Sequence, residues 1–83
     1  MKLVYFAWVR ERVGKTDEVV ELPSQVATIA DLVAWQRTRG PEYENAFSSP
    51  GVVRAALDQT HASPDTAIGA AREIAFFPPV TGG

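Results

Sequence analysis

Glu73-Ile74-Ala75-Phe76-Phe77-Pro78-Pro79-Val80-Thr81-Gly82-Gly83 closes the sequence and decides how the rest is read. Glu73 to Phe77 is rich in aromatic and β-branched types and predicts a strand. Pro78 and Pro79 end it, because proline has no N–H to give to a ladder, and they stiffen the backbone that follows. With Ile74 and Phe76 turned inward, the period of two puts Ala75 and Phe77 on the opposite face. An outward Phe77 beside Pro78 and Val80 is then an apolar patch suited to docking a partner, since aromatic anchors dominate many interfaces. Beyond it Thr81, Gly82 and Gly83 form an arm whose side-chain-free end fits a narrow cleft. Two terminal glycines arise by chance in roughly one chain in 200, so the stiffened Pro78-Pro79 approach carries more weight than the glycines alone.

Outward from this segment, the periodicity predicts an α+β domain. Leu3 to Val9 is apolar at every position and reads as a strand covered on both faces. Arg10 to Lys15, with Gly14, reads as a turn into a strand from Thr16 to Leu22 that Pro23 stops. Thr28 and Asp31 have the spacing of a capping box ahead of Ile29, Leu32 and Val33. They predict a helix from about Ile29 to Arg39, ended by Gly40-Pro41. Pro41 to Gly51 offers at most a short turn of helix. Val52 to Leu57 reads as a strand that turns at Asp58-Gln59 into a short return strand, Thr60 to Ala62. The expected architecture is a mixed sheet with one main helix across one face, the first and last strands adjacent, and an extended tail over residues 78–83.

Composition narrows the function. The 83 residues suffice for one core, and 46% hydrophobic against 22% charged residues is a globular balance. The net charge of −2, without a basic stripe, argues against nucleic acid as a partner. The chain has no cysteine and one histidine, which argues against a disulfide scaffold, a metal centre or a cysteine nucleophile. Leu3 to Val9 is too short for a secretory or membrane segment and runs into Arg10-Glu11-Arg12, so a cytoplasmic protein without membrane association is expected. His61, alone, reads as a turn residue rather than an acid or base. Tyr5, Trp8 and Trp35 read as core, and Arg10-Glu11-Arg12 and Asp17-Glu18 with Glu21 as solvated faces.

Three segments together resemble the small subunits of molybdopterin synthase, the MoaD-like branch of the ubiquitin-like β-grasp sulfur carriers. They are Glu73 to Gly83, Phe6-Ala7-Trp8-Val9-Arg10-Glu11-Arg12-Val13-Gly14, and Val53 to Gln59. The related carriers of thiazole synthesis and tRNA thiolation share the diglycine but usually lack the Pro-Pro-Val before it. Two turn positions depart from the pattern: Ala71-Arg72 replaces the usual Gly-Asp, and Asp58 a frequent Asn.

The resemblance implies a ubiquitin-like β-grasp fold and a non-catalytic, sulfur-donating subunit. Gly83, preceded by Gly82, is the residue whose carboxylate an E1-like activating enzyme adenylates with ATP, no cofactor being held by the carrier itself. Sulfur then displaces AMP to leave a thiocarboxylate, nucleophilic as thiolates are. A large catalytic subunit, within a heterotetramer, takes the arm and passes the sulfur to cyclic pyranopterin monophosphate, forming the dithiolene of molybdopterin. Phe77, Pro78, Pro79, Val80 and Thr81 are the expected contacts with that partner. The alternatives are a related diglycine carrier, for thiazole synthesis or tRNA thiolation, or a modifier joined through Gly83 to a lysine.

Overall fold

In a computed structural model that describes residues 1–48 and 53–79, the elements run β1 (Lys2–Tyr5), α1 (Ala7–Val13), β2 (Asp17–Val19), α2 (Ile29–Gln36), α3 (Pro41–Phe47), β3 (Arg54–Leu57), β4 (Thr60–Ala62) and β5 (Glu73–Phe77). The strands form one sheet in the order β2-β1-β5-β3-β4. β1 and β5 are parallel, with Leu3 opposite Ile74 and Tyr5 opposite Phe76, and every other pairing is antiparallel. This is the mixed sheet expected, with the first and last strands adjacent.

The helical part differs from the expectation of one main helix: there are three short ones. The apolar run from Leu3 leaves the sheet at Tyr5, and Ala7 to Val13 winds into α1. A short apolar run does not distinguish a strand from a buried helical turn. The discriminating signals lie after it: Val9 and Val13, four residues apart, are both buried, and Gly14 caps the helix at φ 84°, its N–H bonded to the Arg10 carbonyl at 2.8 Å. The helix from Ile29 stops at Gln36, short of Arg39. Its start follows the capping box, with Asp31 N–H bonded to the Thr28 hydroxyl and Asp31 Oδ2 accepting from Thr28 N–H. Gly40-Pro41, read as a stop, also begins α3. Gly40 at φ 149° is its N-cap and Pro41 fills the first turn, where a missing N–H costs nothing.

One face of the sheet carries the core. Leu3, Tyr5, Ala55, Ile74 and Phe76 pack with Val9, Val13, Ile29, Leu32, Tyr43, Ala46 and Phe47 from the helices. The Phe76 ring stacks on Tyr5 at 6.0 Å and meets Phe47 edge-on at 5.0 Å. Trp8 and Trp35, expected in the core, are only half-buried and lie under Arg12 and Arg39.

Glu18, expected on a solvated face, sits with 13% of its side chain exposed at the centre of a polar network. Its Oε2 accepts hydrogen bonds from the hydroxyls of Tyr5 and Tyr43, at 2.7 and 2.9 Å, and Arg39 grips both of its oxygens. The buried Gln36 donates to the Tyr5 hydroxyl and accepts from Arg39. Arg39, with the two hydroxyls, lowers the Glu18 carboxyl to about 2, while burial first and the Glu18 carboxylate second push the Tyr5 phenol up. The network ties the turn after α2 to β1 and β2.

Candidate functional site

β5 takes the middle position of the sheet, with β1 on one side and β3 on the other. A tail leaving β5 is therefore rooted in a strand hydrogen-bonded along both edges. Alternation along β5 follows the sequence reading: Ile74 and Phe76 are fully buried, whereas Ala75 and Phe77 are half-buried on the other face. Cross-strand partners share a face, so the pairings Val4–Ala75, Ala75–Ala56 and Ala56–His61 lay a row of residues across the side opposite the core. Arg54 lies opposite Phe77 on that side.

At the end of β5 two phenylalanines come to the same level. Phe6 N–H bonds the Phe76 carbonyl at 3.0 Å, one step past the pairing of Tyr5 with Phe76, which places Phe6 beside Phe77. Phe6 is 49% exposed, a large value for so apolar a side chain. The strand-to-helix transition at Ala7, a non-glycine residue at φ 53°, turns the chain away immediately after it and leaves the ring uncovered. Pro78 and Pro79 follow Phe77, both half-buried.

Of the residues read from the sequence, Phe77, Pro78 and Pro79 are thus grouped at the root of the tail. Val80, Thr81, Gly82 and Gly83 lie outside the described residues. Two residues of this surface escaped sequence reasoning. Phe6 was absorbed into the strand to Val9; the Val9–Val13 spacing and Gly14 would have exposed the boundary. His61 lies on β4 rather than in the turn, and its ring meets Phe77 edge-on with centroids 5.5 Å apart.

The turn that aims β4 at this surface departs from the family pattern without loss of geometry. Asp58 and Gln59 have φ of 45° and 72°, the pair of left-handed residues a two-residue hairpin needs. Asp58 Oδ1 accepts from the N–H groups of Arg72 and Glu73, at 3.0 and 2.9 Å. The carboxylate thereby fixes the entry into β5.

Nearby, an apolar groove of about 480 Å³ runs between α2 and the β3–β4 hairpin, lined by Ile29, Val33 and Ala62 and by the polar Arg37, Arg54 and His61. Among the described residues no three His, Asp or Glu side chains form a metal-binding group, and no helix is long and apolar enough to cross a membrane. Among the described residues, this surface groups no acid, base and nucleophile together. What it offers is an apolar landing surface, with a stiffened exit for the chain end.

Residues 3–83 match the model of the ThiS family. The chain is 35% identical over 83 residues to the molybdopterin synthase sulfur carrier subunit of Escherichia coli, covering 100% of this chain and 99% of that one. Among solved structures, a Pyrococcus furiosus chain assigned as molybdopterin converting factor, subunit 1, is similar with a TM-score of 0.75 and 27% identity, over 95% of each chain. SAMP1 from Haloferax volcanii is similar with a TM-score of 0.72 and 25% identity, over 100% of this chain and 98% of the other.

Proposed function

This chain belongs to the ThiS family, and from that premise we propose that it is the sulfur carrier subunit of a molybdopterin synthase. The observation that carries the reading is full-length similarity to a subunit of that name, joined to a tail root in which Phe6, Phe77 and Pro78-Pro79 present an apolar surface at the exit of the central strand.

The chemistry follows from what the chain has available. Without cysteine, sulfur has no thiol to ride on, and the Gly83 carboxylate is the handle. Its oxygen is a poor leaving group. A cytoplasmic E1-like enzyme adenylates it: the carboxylate attacks the α-phosphorus of ATP and pyrophosphate leaves. A sulfur nucleophile adds to the acyl carbon, AMP departs, and a thiocarboxylate remains. The large subunit, in a heterotetramer with the carrier, receives Thr81-Gly82-Gly83 in its active site while Phe77, Pro78, Pro79 and Val80 hold the docking surface. Cyclic pyranopterin monophosphate accepts the sulfur, and two charged carriers complete one dithiolene.

The test is to incubate the protein with ATP, the activating enzyme and a sulfide donor, then measure intact mass and molybdopterin formation with the large subunit. The expected result is replacement of one oxygen by one sulfur at Gly83 and product that depends on it. An unchanged mass with no product would overturn the reading.

Similarity to SAMP1, a small archaeal modifier protein, favours one alternative, attachment of Gly83 to a lysine. A lysine adduct in place of the thiocarboxylate would establish it.

A further inference from the structure

We propose that the groove between α2 and the β3–β4 hairpin takes an extended acidic peptide, which adds as a strand to the free edge of β4. This site opens on the helix side of the sheet and makes no use of the arm. The parity of the ladder decides which backbone groups the edge offers. Asp58 N–H bonds the Glu73 carbonyl at 2.9 Å. Successive residues of a strand turn their N–H and C=O to opposite neighbours, so Ala56 also faces β5, whereas Ala55 and Leu57 face β4. His61, opposite Ala56, therefore directs its N–H and carbonyl away from β3. Among the described residues no strand lies on that side of β4. A donor and an acceptor spaced to pair with an extended chain are what strand addition uses. The edge ends just beyond them: Ser63 N–H is taken by the Thr66 hydroxyl at 3.0 Å, and Pro64 has no N–H. The added strand is therefore short and centred on His61.

Beside this edge α2 supplies the other wall. Ile29, Leu32 and Gln36 are turned into the core, and Ala30, Val33, Ala34 and Arg37, at spacings of three and four, line the groove instead. Ala30 and Ala34 are small and exposed, which leaves room for branched apolar side chains. Side chains alternate along an added strand, so every second one enters the groove.

Charge selects the occupant. Among the described residues no carboxylate lines the groove. Glu44 is committed to Arg37 at 3.0 Å, and Asp65, next to the lining, accepts from the Ser63 hydroxyl at 2.6 Å. Arg54 lines the groove and has no salt-bridge partner among the described residues. A peptide with acidic residues around a β-branched centre meets cations here, whereas a lysine-flanked one meets like charge.

The experiment titrates the isotope-labelled full chain with the peptide acetyl-EEVTVEE-amide and follows the backbone amide resonances. The expected result is saturation with a Kd below about 1 mM, the amides of His61, Ala62 and Ala34 moving most. Acetyl-KKVTVKK-amide should bind at least about tenfold more weakly. Arg54→Glu and Ala34→Glu, each checked by a thermal melt, should weaken the acidic peptide by a similar factor. Arg72→Glu, which makes the same change of net charge away from the groove, should not. Absence of saturation, equal affinity for the two peptides, equal losses in Arg54→Glu and Arg72→Glu, or shifts confined to Phe6 and Phe77 would overturn the proposal. So would the same amides moving when the protein alone is concentrated, which would make a second copy the occupant. Movement with sodium octanoate but not with the acidic peptide would overturn it in favour of a small amphiphile.

Discussion

Arg39 grips Glu18 in a two-pronged pair, Nη1 to Oε2 at 2.8 Å and Nη2 to Oε1 at 2.9 Å, across 21 residues of sequence. The pair gives the turn after α2 one position relative to β2. An amide in place of the Glu18 carboxylate loses the charge and one of the two acceptor oxygens that Arg39, Tyr5 and Tyr43 share. Glu18→Gln is expected to destabilise the protein by about 2 kcal/mol, lowering Tm by roughly 10 °C for a chain of this size. A thermal melt that differs from wild type by only a degree or two would contradict this.

The same carboxyl sets an acid limit. Its folded value is lowered to about 2 from an ordinary value of 4.5, so its contribution is fully present above about pH 4.5 and is lost as pH falls towards 2. In urea titrations wild type should lose stability faster than Glu18→Gln across that window. Parallel decline of the two proteins would contradict the assignment.

Phe76 and Phe77 adjoin in sequence and should behave oppositely. Phe76→Ala empties the centre of the core and is expected to cost about 3–5 kcal/mol. Phe77→Ala and Phe6→Ala should leave the melt nearly unchanged and weaken binding to the large subunit by about 2 kcal/mol, or roughly thirtyfold. Chemical denaturation and calorimetry on the three variants separate the outcomes. Loss of stability with unaltered affinity at Phe77 would place it in the core.

At Gly40 a side chain meets both strain and obstruction. The residue is at φ 149°, and a Cβ would lie 2.5 Å from Glu42 Oε1. Glu42 can swing away, so the backbone term dominates: Gly40→Ala is expected to cost about 1–2 kcal/mol, whereas Gly40→Ala with Glu42→Ala recovers little. Full recovery in the double variant, measured by urea unfolding, would assign the cost to the contact instead.

Removing Gly83, or adding a residue after it, is expected to abolish sulfur transfer while the fold and much of the partner affinity persist. A displacement of about 1 Å at a reacting atom costs about a hundredfold in rate. Gly82→Ala should be slow as well, because a Cβ crowds a cleft shaped for bare backbone. Product formation at the wild-type rate from the shortened chain would exclude the thiocarboxylate.

The parts of the fold legible in the sequence are those in which local chemistry and tertiary demand coincide. Glu73 to Phe77 alternates cleanly and ends in two prolines, and Thr60 to Ala62 follows an Asp-Gln turn; both strands appear with the bounds expected. Thr28 and Asp31 mark the start of α2 because the cap is satisfied by atoms three residues apart. The α1 boundary was hidden because Phe6, Ala7 and Trp8 are apolar although they are exposed or only half-buried, so the run shows no period. Glu18 and Arg39 look like surface charges in the sequence; only the approach of α2 to β2 makes them partners. Phe6 and His61 reach the tail root by pairings with β5 and β3, and no local pattern encodes those.

Phe6 comes from the beginning of the chain and Phe77 from near its end, and only the parallel pairing of β1 with β5 sets them side by side. That pairing spans about 70 residues of sequence, so it carries a large loop-closure entropy and belongs to the slow part of folding. A chain still being synthesised, or one that has collapsed without closing its sheet, does not hold the two rings side by side. A partner that bound the two rings together would therefore bind only a chain whose sheet has closed.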